Sequence, residues 1–355
     1  MLSSTEGTEH APGVMLNHLE FYTADADEAV SELTDRYGFG VWGTRALPGG
    51  GRSVALGVCD IAVLVTEGPQ TREFTERHGF GVADIGLRTS DAAGTHTAAV
   101  AAGARSVRPP ATEEGATLAA VGAFGDVVHT LVQPPAGVDG MWLPGFGALT
   151  PLPASSTCLE RIDHFAVCLD AGDLAATVER YERTLGFRMT FAERIAVGAQ
   201  AMDSKVVQSP SGDVTLTLIE PDTEADPGQI DRFLRDNGGA GVQHVAFSTR
   251  NIVRSVAVLG ERGVDFLDTP DTYYDRLTQR LTPARHPVAE LRDLDILVDE
   301  DHDGQLYQIF TRSTHPRGTL FYEVIERFGA RNFGSGNIKA LYEAVEEASL
   351  AGQHR

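Results

Sequence analysis

Short apolar runs, most of them bounded by glycine, recur along the whole chain. That pattern predicts many short strands joined by turns. Helical patterns are interleaved with them. In ADEAVSELTDRY (26–37), Ala29, Val30, Leu33 and Tyr37 fall at helical spacing, and Gly38 follows. In DAGDLAATVERYERTL (170–185), Leu174, Val178, Tyr181 and Leu185 do the same, and Gly186 follows. Each segment predicts an amphipathic helix stopped by glycine. The expected class is therefore α+β.

The two helical segments belong to a longer repeat. LNHLEFYTADADEAVSELTDRYGFGVWGT (16–44) parallels IDHFAVCLDAGDLAATVERYERTLGFRMTFAE (162–193), each reading as strand, helix, Gly-Phe, strand. A second pair follows, GVADIGLRTSDAAGTHTAAVAAGA (81–104) with GVQHVAFSTRNIVRSVAVLGERGV (241–264). The chain thus contains four strand-helix-strands units in two halves. One unit cannot cover its own sheet, so units are expected to pair. Residues 14–135 form the first expected domain and 159–355 the second. Between them, 136–158 is rich in Pro and Gly without a clear period and reads as a linker. Residues 1–13 read as a disordered lead-in. At the other end, NIKALYEAVEEASL (337–350) predicts an amphipathic helix with Ile338, Leu341, Tyr342 and Val345 on one face.

Composition narrows the function mainly by exclusion. The 355 residues carry 29 Lys and Arg against 50 Asp and Glu, a formal charge of −21. That balance argues against binding nucleic acid or an anionic membrane surface. No apolar run approaches the ~20 residues of a membrane helix. The N-terminus lacks the basic start and apolar stretch of a signal peptide. Cys59, Cys158 and Cys168 are sparse and odd in number, which fits a reducing compartment and small apolar fillers.

Chemistry enters where the repeat loses its symmetry. His18 corresponds to His164, but Asp84 corresponds to His244. Only the second half keeps a histidine in both of its units. If equivalent strands lie face to face, both histidines point into one cavity. Glu323, in LFYEVIER, is a carboxylate on an otherwise apolar strand, which is costly unless it is paired or bound to metal. Two histidines and a carboxylate can occupy one face of an octahedral ion and leave three positions open, as in non-heme Fe(II) oxygen chemistry. Spacing alone leaves ordinary buried histidines equally open. His18, His78, His96, His129, His286, His302, His315 and His354 are assigned no ligand role.

The segments that carry these residues, DHFAV (163–167), GAGVQHVAF (239–247) and FYEVIERFG (321–329), resemble the metal-ligand segments of the 4-hydroxyphenylpyruvate dioxygenase family. So do WLPGF (142–146), DTPDTYYDRL (268–277), DGQLYQIFT (303–311) and FGSGNIKALYEAVE (333–346), and the resemblance runs from about residue 14 to 348. It implies the vicinal oxygen chelate fold, built of four βαβββ units in two domains, with 337–350 as a lid helix. It implies Fe(II) as cofactor, held by His164, His244 and Glu323. It implies 4-hydroxyphenylpyruvate and O2 as partners, and a cytoplasmic homo-oligomer, a dimer before other states. The first domain would be structural.

Within the family, three places resemble the branch that makes 4-hydroxymandelate rather than homogentisate. TLIEP has Thr217 and Ile219 where a dioxygenase usually has proline and asparagine. GNIKALYEA has Ile338 where a dioxygenase usually has phenylalanine. MDSKVVQSPSGDVTLTLIEPD and VCLDAGDL also resemble the synthase. The implied reaction is oxidative decarboxylation with benzylic hydroxylation. A smaller Ile338 would let the substrate ring settle elsewhere, and a shift of about 1 Å can redirect a reaction. Motif matching places Ser204, Thr217, Gln229, Gln243 and Gln308 as polar pocket residues. It places Phe310 and Phe321 as aromatic walls, and Phe333, Asn337 and Ile338 at the base of the lid. The alternatives are a homogentisate-forming dioxygenase, an extradiol ring-cleaving dioxygenase and a metal-free binding module. The last is disfavoured by the complete triad.

Overall fold

A computed structural model describes residues 13–138, 140–150, 152, 155–334, 336 and 337. The lead-in read over 1–13 and the lid helix read over 337–350 lie outside these residues, apart from Gly13 and Asn337. Ile338 lies outside them as well.

The repeat forms four βαβββ units. The first is β1 (Met15–Tyr22), α1 (Ala26–Ser31), β2 (Gly40–Ala46), β3 (Arg52–Val58) and β4 (Ile61–Glu67). Helix α2 (Arg72–His78) leads to the second: β5 (Gly81–Arg88), α3 (Ala92–Ala101), β6 (Ser106–Glu113), β7 (Ala116–Gly122) and β8 (Val128–Gln133). The connector carries β9 (Trp142–Leu143) and β10 (Gly147–Ala148). The third unit is β11 (Arg161–Cys168), α4 (Leu174–Leu185), β12 (Arg188–Val197), β13 (Gln200–Gln208) and β14 (Thr215–Pro221). Helix α5 (Gln229–Asn237) leads to β15 (Gly241–Ser248) and α6 (Ile252–Glu261). An insertion of α7 (Asp271–Arg280) and α8 (Val288–Asp293) precedes β16 (Leu297–Glu300), β17 (Gln305–Phe310) and β18 (Phe321–Phe328). Local chemistry sets the helix ends: the Asp25 side chain accepts from Glu28 N at 3.0 Å at the start of α1. Gly186, at φ 68°, stops α4 in the left-handed region that glycine tolerates.

Two eight-stranded sheets result, ordered β2-β3-β4-β1-β5-β8-β7-β6 and β12-β13-β14-β11-β15-β18-β17-β16. The orders are equivalent strand for strand. The expectation that equivalent strands face each other across a cavity is corrected. β11 and β15 are antiparallel hydrogen-bonded neighbours at the centre of one curled sheet. His164 pairs with Ala246 and Ala166 with His244, so the two histidines meet along a diagonal of that sheet. Each central strand of this pair is irregular. The register skips Asp163 on β11 and Gln243 on β15, and β1 skips Asn17 in the same way. These are β-bulges, which re-aim side chains out of simple alternation.

One core runs through both halves. Tyr37 lies 4.9 Å from Tyr322, and Phe39 lies 6.1 Å from Phe247, ring centre to ring centre. In return, the Tyr181 hydroxyl on α4 donates to His129 Nε2 on β8 at 2.8 Å. Each half thus covers the outer face of the other's sheet. On β18, Tyr322 and Glu323 point to opposite faces. The strand is anchored through Tyr322 in the first half while Glu323 faces the inside of the second sheet.

The stretch read as a linker is partly built into the fold. Trp142 and Leu143 are buried against Leu118, Val132 and Leu64, and Leu64 pairs with Glu20 on β1. Burial of each such side chain stabilises by roughly 1.5–3 kcal/mol. The connector therefore fills the inner face of the first sheet. The corresponding face of the second sheet carries the chemistry.

Candidate metal centre

The inner face of the second sheet brings three predicted ligands together. Glu323 Oε2 lies 3.2 Å from His164 Nε2 and 3.3 Å from His244 Nε2. Two ligands at about 2.1 Å from one ion, at right angles, stand roughly 3 Å apart, so the spacing suits a single metal. Glu323 is held between Ala246 and Phe310 in the sheet, and His244 beside Phe321. The donor set is nitrogen, nitrogen and one carboxylate oxygen on one side of a point, which fits a non-heme Fe(II) ion.

The electrostatics agree. Burial disfavours the His164 imidazolium, but Glu323 and Asp163 outweigh it and lift the pKa to about 9. Burial would raise Glu323, yet the two histidines bring it down to about 2. His244 is lowered, chiefly by burial, with Glu323 opposing only in part. Without metal, the site holds a buried imidazolium–carboxylate pair, which a dication would replace with release of the His164 proton. His244 Nδ1 is buried without a hydrogen-bond partner.

The remaining predicted residues divide. Phe321 and Phe310 stand 5.1 and 5.7 Å from the His244 ring, and Phe333 stands 5.1 Å from the His164 ring. Together they make an aromatic rim around the triad. Thr217 pairs with Ala166, the cross-strand partner of His244. Ser204 lies beyond it opposite Ile219. Both are buried and on the triad's face, and Thr217 Oγ1 has no partner. Gln308 is buried on β17 with Oε1 unpartnered, against Gly334. Gln243 is buried in the β15 bulge beside His244. Asn337 is buried, its Oδ1 accepting from the Tyr273 hydroxyl at 2.8 Å while its Nδ2 has no partner. Gln229 is different: it is exposed at the first turn of α5 and is not brought to the cluster. A cleft of about 540 Å³ lies behind Asp163, Arg327 and Phe333 and is not lined by the triad.

Two residues of the site were not singled out in the sequence. Asp163 Oδ1 accepts from His164 Nδ1 at 2.8 Å. Arg327 grips the same carboxylate through Nε, 2.9 Å from Oδ2, and Nη2, 2.9 Å from Oδ1. Burial works against the Asp163 anion, but His164 and Arg327 prevail and hold its pKa well below the usual carboxylate range. The sequence signal was present: Asp163 precedes the first ligand, and Arg327 follows Glu323 at the spacing of one strand face.

The first sheet shows the same frame with other chemistry. His18, Glu20 and Asp84 converge there within 4.8 Å. Asp84 accepts from the Thr130 amide at 2.9 Å and from its hydroxyl, and Thr130 stands where Glu323 stands in the second sheet.

Comparison with known proteins places these features. Residues 161–309 match the family model described as Glyoxalase/Bleomycin resistance protein/Dioxygenase superfamily. The chain is 34% identical to a 4-hydroxyphenylpyruvate dioxygenase of Xenopus tropicalis, over 98% of this chain and 95% of that one. It is 32% identical to the enzyme of the same description from Danio rerio, over 98% and 94%. Among solved structures, it resembles a triply substituted 4-hydroxymandelate synthase from Streptomyces coelicolor. That match has TM-score 0.83 and 41% identity, covering 95% of this chain and 99% of that one. The vicinal oxygen chelate fold is thereby confirmed.

Proposed function

The chain belongs to the 4-hydroxyphenylpyruvate dioxygenase family, and on that premise we propose that it is a 4-hydroxymandelate synthase. It would convert 4-hydroxyphenylpyruvate and O2 into 4-hydroxymandelate and CO2. The observation that carries this choice is identity: 41% with a solved synthase, against 34% and 32% with the two dioxygenases above. Thr217 and Ile219 support it. Both face the inside of the second sheet, where Ile219 joins the apolar cluster of Cys168, Met202 and Phe233 in place of the polar residue usual in a dioxygenase.

His164, His244 and Glu323 would hold Fe(II). That ion supplies the dioxygen chemistry and a Lewis-acid seat for the 2-oxo acid. The chain's own work is orientation. Phe310, Phe321 and Phe333 wall the substrate ring, and the face positions of that ring decide which carbon is nearest the metal. Thr217, Ser204, Gln243 and Gln308 offer buried hydrogen-bonding groups, two of them unsatisfied until a ligand arrives. Asn337 and, by motif alone, Ile338 would help exclude water. Gln229 has no place in this scheme. Residues 14–135 act as a structural domain that backs the catalytic one, 159–355. The enzyme is cytoplasmic and dimeric, and its product feeds peptide-antibiotic assembly.

The metal assignment is tested by oxygen uptake. Fe(II)-loaded protein should consume O2 and release CO2 in equal amounts with 4-hydroxyphenylpyruvate. Glu323→Gln and His164→Ala should lose that turnover while keeping the far-ultraviolet spectrum of the wild type. Full Fe(II)-dependent turnover in Glu323→Gln would remove the triad from the mechanism.

A further inference from the structure

The two halves treat one histidine in opposite ways, and the difference lies in the bulge residue before it. In the first sheet that residue is Asn17, and its Nδ2 donates to Nδ1 of His18 at 2.9 Å. The same amide donates to the carbonyl of Trp142 at 3.1 Å, which fixes its orientation. Nδ1 of His18 is therefore an acceptor, and the neutral ring carries its proton on Nε2. In the second sheet the bulge residue is Asp163, which can only accept. Nδ1 of His164 keeps its proton, so the proton that a metal displaces is the one on Nε2, and the lone pair it uncovers points toward Glu323 and His244.

Asp163 is itself held by Arg327 through both carboxylate oxygens. The remaining guanidinium nitrogen, Nη1, donates to the carbonyls of Asn332 at 2.6 Å and Ala330 at 3.3 Å. The guanidinium also lies over the Phe333 ring, 4.9 Å from its centre. One side chain thus touches the support of a metal ligand and the loop that carries an aromatic wall of the pocket. In the first sheet, position 134 stands where Arg327 stands in the second, and it is a proline.

We infer that Asp163 and Arg327 are positioning residues that make His164 a metal ligand by fixing its tautomer, and that Arg327 couples this ligand to the seating of Phe333. The inference rests on the metal-centre reading. Its physical core is directional. In Asp163→Asn, Arg327 would still demand the side-chain oxygen, so the amide nitrogen would turn to His164 Nδ1 and move the ring proton to Nε2. This is the wrong tautomer for a ligand, the effect a like change has on a catalytic-triad histidine. Loss of a carboxylate behind a ligating histidine costs about 10–100-fold in metal affinity. Lys at 327 would keep the charge but lose the fork that spans Asp163 and the loop.

The test is calorimetric titration of the full-length apo protein with Co(II), with thermal unfolding of each apo variant alongside. Asp163→Asn should bind Co(II) about 10–100-fold more weakly than wild type, out of proportion to any fall in apo stability. Arg327→Lys should also weaken Co(II) binding, and the double variant should lose less than the two single losses multiplied together. Arg327→Lys should in addition raise KM for 4-hydroxyphenylpyruvate more than it lowers kcat, because Phe333 is loosened. Folded Asp163→Asn that binds Co(II) as tightly as wild type overturns the proposal. If that variant does not fold, unaltered Co(II) affinity in Arg327→Lys overturns it instead. A wild type that binds no Co(II) overturns the metal centre itself, which is a different result from equal binding in wild type and variants.

Discussion

Asp84 and His244 occupy equivalent positions in the two sheets, and that exchange leaves a buried acidic pair where the other half has a ligand set. Glu20 is pushed up to about 7, first by burial and then by the charge of Asp84, with Thr66 and Arg108 opposing. Asp84 rises to about 6, by burial, against its bonds from Thr130. Both groups keep their protons longer in the folded chain than in the unfolded one. The cost of burying these carboxyls as anions is absent below about pH 4, where both states are protonated. It grows as pH rises from about 4 to 7, where the unfolded chain binds fewer protons, and is complete above that window. Glu20→Gln keeps an acceptor for Thr66 and removes the titration. Urea unfolding should show the variant more stable than wild type by about 1–3 kcal/mol at pH 8 and no different at about pH 4. A difference that does not change with pH would contradict the account. At this scale the ligands were readable, because the repeat marked His164 and His244 as a surviving pair and Glu323 as an expensive carboxylate. Asp163 was not, because its contact with the next residue depends on a bulge, and strict alternation would put neighbours on opposite faces.

At the scale of elements, the periodicities were informative and the pairings were not. Leu174, Val178, Tyr181 and Leu185 do form the buried stripe of α4. The first helix is less regular, since the α-helical turns end at Ser31 and Glu32–Arg36 continue as a wider π turn. Which strands are neighbours is decided by hydrogen-bond register between distant segments, so the side-by-side placement of β11 and β15 could not be read from either strand alone. Gln229 stands apart for a local reason: it falls on the outer side of the first turn of α5, which presents it to solvent. The segment after β18 is stapled by several groups. Asp301 accepts from the amides of Arg331 and Asn332 at 2.6 and 2.8 Å, and Asp299 accepts from Gly336 N at 3.0 Å. Ile338 lies outside the described residues, and its proposed role in product choice rests on the GNIKALYEA motif, where a dioxygenase usually has phenylalanine. Ile338→Phe should shift part of the product from 4-hydroxymandelate toward homogentisate, read by chromatography. An unchanged product distribution would remove steric control from that position.

For the whole molecule, the two halves are packed against each other through one core. Tyr37 and Phe39 cover Tyr322 and Phe247 on the outer face of the second sheet, and Trp142 and Leu143 fill the inner face of the first. The net charge of −21 would take no part in recruiting the proposed anionic substrate. The local charge of the proposed Fe(II) and a buried pocket would do so. O2 uptake and CO2 release cannot separate the two branches, because 4-hydroxymandelate and homogentisate are isomers formed with the same stoichiometry. The direct measurement is therefore the identity of the product made by wild-type protein loaded with Fe(II) under anaerobic conditions and then given O2 and 4-hydroxyphenylpyruvate, resolved against both standards. The expected major product is 4-hydroxymandelate; homogentisate as the major product would overturn the synthase assignment.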